Sequence, residues 1–296
     1  MISNNLLQDC ITLFLGIIVE ALPFILLGSI VSTFIHVFVK TETILRILPK
    51  NKLGLCASIG LVGMFFPVCE CGNVPVARQM IRKKIPGFAS ISFLLGAPIL
   101  NPIVIMTTIV AFPDNPEIWW GRILLGFLIA TSMGYFFSFA RTSEFITSST
   151  AHPHCHHDHT NNSRWKHFID HAASEFLTMG SVMVIGAGIA SATQTFVPRE
   201  IIFSIASTPL LSIIAMMGLA FIISICSTTD AFFALAYAHQ FSPASLLAFL
   251  VFGPMIDMKG LLLMRTTYRT KTLVYLAILV AVLVLGMTYF LDTFWL

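Results

Sequence analysis

Charge is what this chain has least of. Asp, Glu, Lys and Arg make up 10% of its 296 residues, against roughly a quarter in a water-soluble domain. A soluble globular fold is therefore excluded. The net charge of +3 comes from basic residues spread over connecting loops, which gives no face for nucleic acid. The six cysteines are scattered and lie partly inside apolar runs, so they do not form a disulfide framework. No Walker-type loop is present, which removes a nucleotide-driven pump. The first ten residues contain no Lys or Arg, and the run from Ile11 to Val39 is too long for the apolar core of a secretory signal.

What is abundant is apolar sequence: 56% of residues are hydrophobic and the mean hydropathy is +0.87. This composition predicts an all-α integral membrane protein. Apolar runs cover about 11–39, 53–68, 86–112, 118–140, 172–197, 201–225, 243–264 and 272–290. Most are near the ~20 residues that cross a ~30 Å hydrocarbon core as helix. Two further pieces, 74–81 and 229–241, are too short to cross. The expectation is 8–10 membrane segments in two halves. Residues 1–141 form a first repeat of five segments, 142–166 a polar, His-rich linker, and 167–296 a second repeat of five.

The halves carry related motifs. The first reads Pro67-Val-Cys69-Glu70-Cys71-Gly72-Asn73-Val-Pro75, followed by Gly96-Ala97-Pro98-Ile-Leu-Asn101-Pro102. The second reads Cys226-Ser-Thr-Thr-Asp230, followed by Gly253-Pro254-Met-Ile-Asp257-Met-Lys259. Pairing Cys69 with Cys226 also pairs Asn73 with Asp230, and a one-residue gap then brings Pro98 onto Pro254 and Asn101 onto Asp257. Glu20 falls close to Glu175, each a lone acid in an apolar run. Gly72, Pro75, Pro98, Gly253 and Pro254 are expected to break the helices. Such paired interruptions point to a transporter's binding site.

Fourteen of the seventeen Lys and Arg fall on one side of a single threading, including Lys40, Arg46, Arg82, Lys84, Arg164 and Arg269. That side is assigned to the cytoplasm, with the His-rich linker inside and both termini outside. Five segments per half is an odd number, so the second half must run upside down. Two helix–turn–helix hairpins would then enter from opposite faces and meet near the midplane. Their tips, buried or lining a wet cavity, would present backbone N–H groups near Asn73 and Asp230.

Several side chains there suit chemistry. Cys69, Cys71 and Cys226 offer soft sulfur for a soft cation or a trivalent metalloid. Glu70, Asp230, Asp257 and Lys259 are costly at membrane depth, about 2.5–3.5 kcal/mol each, and mark an ion or proton path. Lys259 alternatively snorkels to the interface. Asn73 and Asn101 join the substrate set, and Glu20 and Glu175 are candidates for coupling. In the linker, His152, His154, Cys155, His156, His157, Asp158 and His159 form a tract suited to borderline metals, as a buffer or sensor. No cofactor is otherwise required.

At Cys69-Glu-Cys71-Gly72 with Pro75, at Gly96-Ala97-Pro98, and at Gly253-Pro254 with Asp257-Met-Lys259, the chain resembles the bacterial predicted-permease family that contains the organoarsenical exporter (ArsP-like permeases). The likeness extends over both halves outside the linker. It implies a multi-pass permease of the bacterial inner membrane, with trivalent organoarsenical export in some members and a second membrane subunit in others. Glu70 between the two cysteines and the His-rich linker do not match the arsenical exporters, which turns attention to a metal cation or another small solute. The combined reading is a secondary transporter exporting a small solute, such as a soft metal ion or a trivalent metalloid or organoarsenical. Its rivals are a membrane thiol oxidoreductase using Cys69 and Cys71, and a non-transporting subunit of a permease complex.

Overall fold

The computed structural model describes residues 2–41, 46, 48–66, 68–140, 146, 164–196 and 208–294. These residues are all-helical apart from one isolated bridge between Ile146 and Tyr268. In chain order the helices are α1 (Ile2–Phe38), α2 (Lys52–Val62), α3 (Glu70–Arg82), α4 (Gly87–Leu100), α5 (Pro102–Ala111) and α6 (Pro116–Phe137). After the linker come α7 (Arg164–Phe196), α8 (Pro209–Ile223), α9 (Asp230–Leu235), α10 (Pro243–Met255), α11 (Met258–Met264) and α12 (Thr270–Phe294).

Six helical stretches are long and apolar enough to cross a membrane: Leu6–Phe38, Gly87–Ala111, Pro116–Phe137, Phe168–Phe196, Pro243–Met264 and Thr270–Thr293. Lys52–Phe65 and Pro209–Ile223 are apolar but shorter. Two of the six are not continuous helices. Gly87–Ala111 is α4 and α5 joined at Asn101, and Pro243–Met264 is α10 and α11 joined at Ile256–Asp257.

The exposure pattern is inverted relative to a soluble protein. Val19 on α1, Leu177 on α7 and Val282 on α12 are all more than half exposed, as lipid-facing positions would be. The core sits around α4 and α10, nearly every residue of which is buried, and the two helices touch one another. Around them α4 packs on α2 and α6, and α10 packs on α8 and α12. Helices α1 and α7 pair along their length; α1 also lies on α3, and α7 on α11.

Lipid tails are as apolar as leucine, so close van der Waals packing, rather than water exclusion, holds such helices together. Small residues make that approach possible. A Cβ on Gly134 of α6 would overlap the Ser92 hydroxyl of α4 and press on Cys56 of α2. Ser92 Oγ also donates 2.9 Å to the Ala130 carbonyl, tying α4 to α6.

Candidate functional site: two turns and a buried charge cluster

Each half contains one non-helical turn followed by a short helix. In the first, Cys69 is extended (φ −74°, ψ 178°) and its carbonyl accepts from the N–H groups of Gly72 at 3.1 Å and Asn73 at 3.2 Å. In the second, the Cys226 carbonyl accepts from Thr229 at 3.0 Å and Asp230 at 3.1 Å. Cys69 and Cys226, and Asn73 and Asp230, thus hold the same places in two equivalent turns. The second turn is entered through Ser224, whose φ of 49° lies in the left-handed region that costs an L-residue about 1–2 kcal/mol. Its hydroxyl donates to the Phe221 carbonyl at 3.0 Å and accepts from Met258 N–H at 3.2 Å, which pins the turn to α11.

The broken helices also match. Asn101 precedes Pro102, which disfavours α geometry at Asn101, and it adopts φ −60°, ψ 128°. Its side-chain oxygen caps α5 by accepting from Ile103 N–H at 2.9 Å. Asp257 is extended too (φ −132°, ψ 167°), and its Oδ1 caps α11 through Gly260 N–H at 2.8 Å. Pro98 and Pro254 lie inside α4 and α10, each three residues before the capping residue. Gly72 and Pro75 lie within α3, after its turn. Gly72 works by closeness: a Cβ there would overlap Val68 and the Phe24 carbonyl of α1, and one on Gly28 would overlap the Gly72 carbonyl. Helix α1 therefore crosses the first turn backbone to backbone.

The two turns meet at Glu70, which also faces Lys259 of α11. Lys259 Nζ lies 3.2 Å from Glu70 Oε1 and 3.9 Å from Asp257 Oδ2. Glu70 Oε2 accepts from the Ser227 hydroxyl at 3.4 Å and faces Cys226 Sγ at 4.0 Å. The sulfurs of Cys69 and Cys226 and a Glu70 carboxylate oxygen all lie within 4.8 Å of one another. Every one of these residues is buried. Cys71 is buried one position beyond Glu70. Beside the cluster, the amides of Asn73 and Asn101 both reach the Val68 carbonyl, at 3.5 and 3.4 Å, and the Asn73 side-chain oxygen has no hydrogen-bond partner.

Lys259 is therefore an interior residue, and the snorkelling alternative is ruled out by its 3% exposure. The break at Asp257 explains how Asp257 and Lys259, two positions apart, face each other: the capping residue is extended while Lys259 is already in the first turn of α11.

Asp230 is held apart from this cluster, in a second buried ion pair. Arg122 of α6 grips it with Nη1 at 3.0 Å from Oδ1 and Nη2 at 2.6 Å from Oδ2, and Nη1 also donates 2.8 Å to Thr108 Oγ1. A third pairing lies between Glu175 of α7 and α3, with Arg82 at 3.6 Å and Arg78 at 3.9 Å. Glu20 of α1 accepts from Thr229 Oγ1 at 3.4 Å, in the second turn. The sequence gives Arg122 no part in the site, and gives Ser227 only the part of satisfying freed backbone groups at the second turn. Arg122 has a visible signal, since it is the sole charged residue in the apolar run 118–140. Ser227 has none beyond adjacency to Cys226. The tract from His152 to His159 lies outside the described residues.

Over residues 6–292 the chain matches the ArsP_1 model, described as a predicted permease. It belongs to that permease family. A Streptococcus mutans relative, described as a proposed subunit of a two-component membrane permease complex, is 39% identical over 274 residues, covering 91% of this chain and 90% of its own. The UPF0718 protein YcgR of Bacillus subtilis is 38% identical over 276 residues, with 93% and 94% covered. No solved structure matches this permease. Family and apolar helices together make it a multi-pass membrane protein.

Proposed function

We propose that this permease is a secondary transporter of the bacterial plasma membrane, moving a small soft solute through the cluster where the two motif turns meet. One observation carries the reading: residues from opposite halves, Cys69 and Glu70 with Cys226 and Lys259, converge in a buried site within 4.8 Å for the sulfur and carboxylate atoms and 3.2 Å for the ion pair. Two sulfurs and a carboxylate suit a soft metal ion or a trivalent metalloid. Ionisable groups in a membrane interior mark a solute or proton path.

In this reading the halves are inverted copies, the His-rich linker faces the cytoplasm, and the halves rock about the cluster to expose it alternately. Three ionic contacts cross between the halves and would rearrange in such a motion: Glu70–Lys259, Arg122–Asp230, and Glu175 with Arg78 and Arg82. Glu20 and Glu175 each reach across to the opposite half's motif region, which supports their coupling role. The His152–His159 tract would hold metal on the cytosolic side. The permease-complex naming of the S. mutans relative supports a second membrane subunit here as well.

The test is export from cells that lack the native gene and express wild type, Cys69→Ser or Cys226→Ser at matched membrane levels. Growth and intracellular accumulation are scored against trivalent arsenicals, zinc, copper, nickel and cobalt. Export lost in both serine variants, for a solute the wild type exports, supports the site. Full export in both variants overturns it.

A further inference from the structure

The charges in the cluster do not balance. Glu70 and Asp257 are two buried carboxylates, and Lys259 is the one cation within reach of both among the described residues, at 3.2 and 3.9 Å. With all three ionised the group carries a net charge of −1, and a buried uncompensated charge is strongly unfavourable. Oε1 of Glu70 and Oδ2 of Asp257, the two oxygens that face the ammonium, have no hydrogen-bond donor of their own. The other two carboxylate oxygens are occupied: Glu70 Oε2 by Ser227, and Asp257 Oδ1 by the α11 cap. One ammonium is thus shared unequally between two acceptors, close to the nearer and long to the other.

Glu70 has a further property. The carboxylate that holds Lys259 is the same one that lies with the Cys69 and Cys226 sulfurs. A cation bound by these two sulfurs and Glu70 would come within Coulomb range of the ammonium, and the two positive charges would repel each other across one carboxylate. Lys259 is placed to yield. It stands in the first turn of α11, two residues beyond the break at Asp257, which is a second acceptor already 3.9 Å away.

We infer that Lys259 is a built-in competitor for the cargo. The cargo is a soft divalent cation; as it binds, the Cys69 and Cys226 thiols give up their protons to water, and its arrival at these sulfurs and Glu70 drives the ammonium from Glu70 to Asp257. This rests on the reading above and narrows its substrate class, because a neutral trivalent arsenical would leave the ion pair undisturbed. In the empty site Lys259 neutralises Glu70; in the loaded site it neutralises Asp257. The two buried carboxylates are thus never both bare: in either state one of them carries the ammonium.

The experiment is Cd2+ titration of the full-length protein in detergent, in a Cys155→Ser background, followed by cadmium–thiolate absorbance. Lys259→Met removes the competitor, and Cd2+ binding is expected to tighten about tenfold or more, since a unit charge a few ångströms away is lost. Lys259→Arg keeps the charge and is expected to bind as wild type does. Asp257→Asn keeps a capping oxygen for Gly260 N–H but removes the second acceptor, so binding is expected to weaken about tenfold. Equal or weaker binding by Lys259→Met overturns the inference. If that variant does not insert, Asp257→Asn decides: binding equal to wild type overturns it. Unchanged absorbance in both Cys69→Ser and Cys226→Ser would overturn the underlying site instead. Loss of signal in those variants without tightening in Lys259→Met would remove the competitor alone. Phenylarsine oxide is the neutral control, expected to bind independently of Lys259.

Discussion

Replacing Arg122 with Met should be among the most damaging single changes in this chain, and adding Asp230→Asn should undo most of the damage. Arg122 gives Asp230 two hydrogen bonds, at 3.0 and 2.6 Å, and a third to Thr108 at 2.8 Å. Asp230 is 2% exposed, so water cannot take the arginine's place. Removing one partner of a buried pair and leaving the other charged costs about 3–5 kcal/mol. Removing both leaves a neutral amide and a thioether of similar bulk, near-neutral by comparison. The coupling between the two changes should therefore reach about 2–3 kcal/mol. Thermal unfolding in detergent or nanodiscs would show the single variant lower by on the order of 10 °C, taking ~2–4 °C per kcal/mol for a chain of this size. The double variant should recover at least half of that loss. Additive losses in the double variant would refute the argument, because Arg122 would then be acting through something other than the charge on Asp230.

Gly72→Val should fail to fold or lose more than ~3 kcal/mol, because its side chain would occupy the space of the α1 backbone at Phe24; normal yield and melting would contradict the close crossing. Asp257→Ala should cost about 1 kcal/mol more than Asp257→Asn, since only the latter keeps an oxygen for the α11 cap. Identical melting temperatures would mean that the cap is not what shapes the break. Deleting residues 152–159 should lower metal binding by the whole protein while leaving Cys69-dependent export intact, checked by the same accumulation assay.

Much of this arrangement is legible in the residues because the motifs state backbone geometry directly. Asn101 before Pro102 dictates an extended residue, and an Asn or Asp before an apolar run reads as a helix cap. That is why pairing Asn101 with Asp257 in the sequence finds two capped breaks in space. The Cys69 and Cys226 turns are legible for the same reason, through the matched spacing to Asn73 and Asp230. Side-chain partners are not. Nothing local says that Arg122 turns inward to Asp230, 108 positions later, or that Lys259 chooses Glu70 over the membrane interface. Those choices depend on how α6, α9 and α11 are placed by packing against the opposite half. Helix lengths are also poorly legible: the first apolar run begins at residue 11, whereas α1 begins at Ile2, because polar residues at an interface continue a helix as readily as apolar ones.

The most direct test of the shared cluster is cysteine cross-linking across the two halves. In a protein whose Cys10, Cys56, Cys71 and Cys155 are replaced, with a protease site in the linker, a short thiol-to-thiol bimane reagent should join Cys69 to Cys226. The halves would then stay together on a denaturing gel after cleavage. The transported solute should protect them from the reagent. Halves that separate after treatment, or a cross-link formed equally well with the solute present, would contradict a cargo site built from both turns.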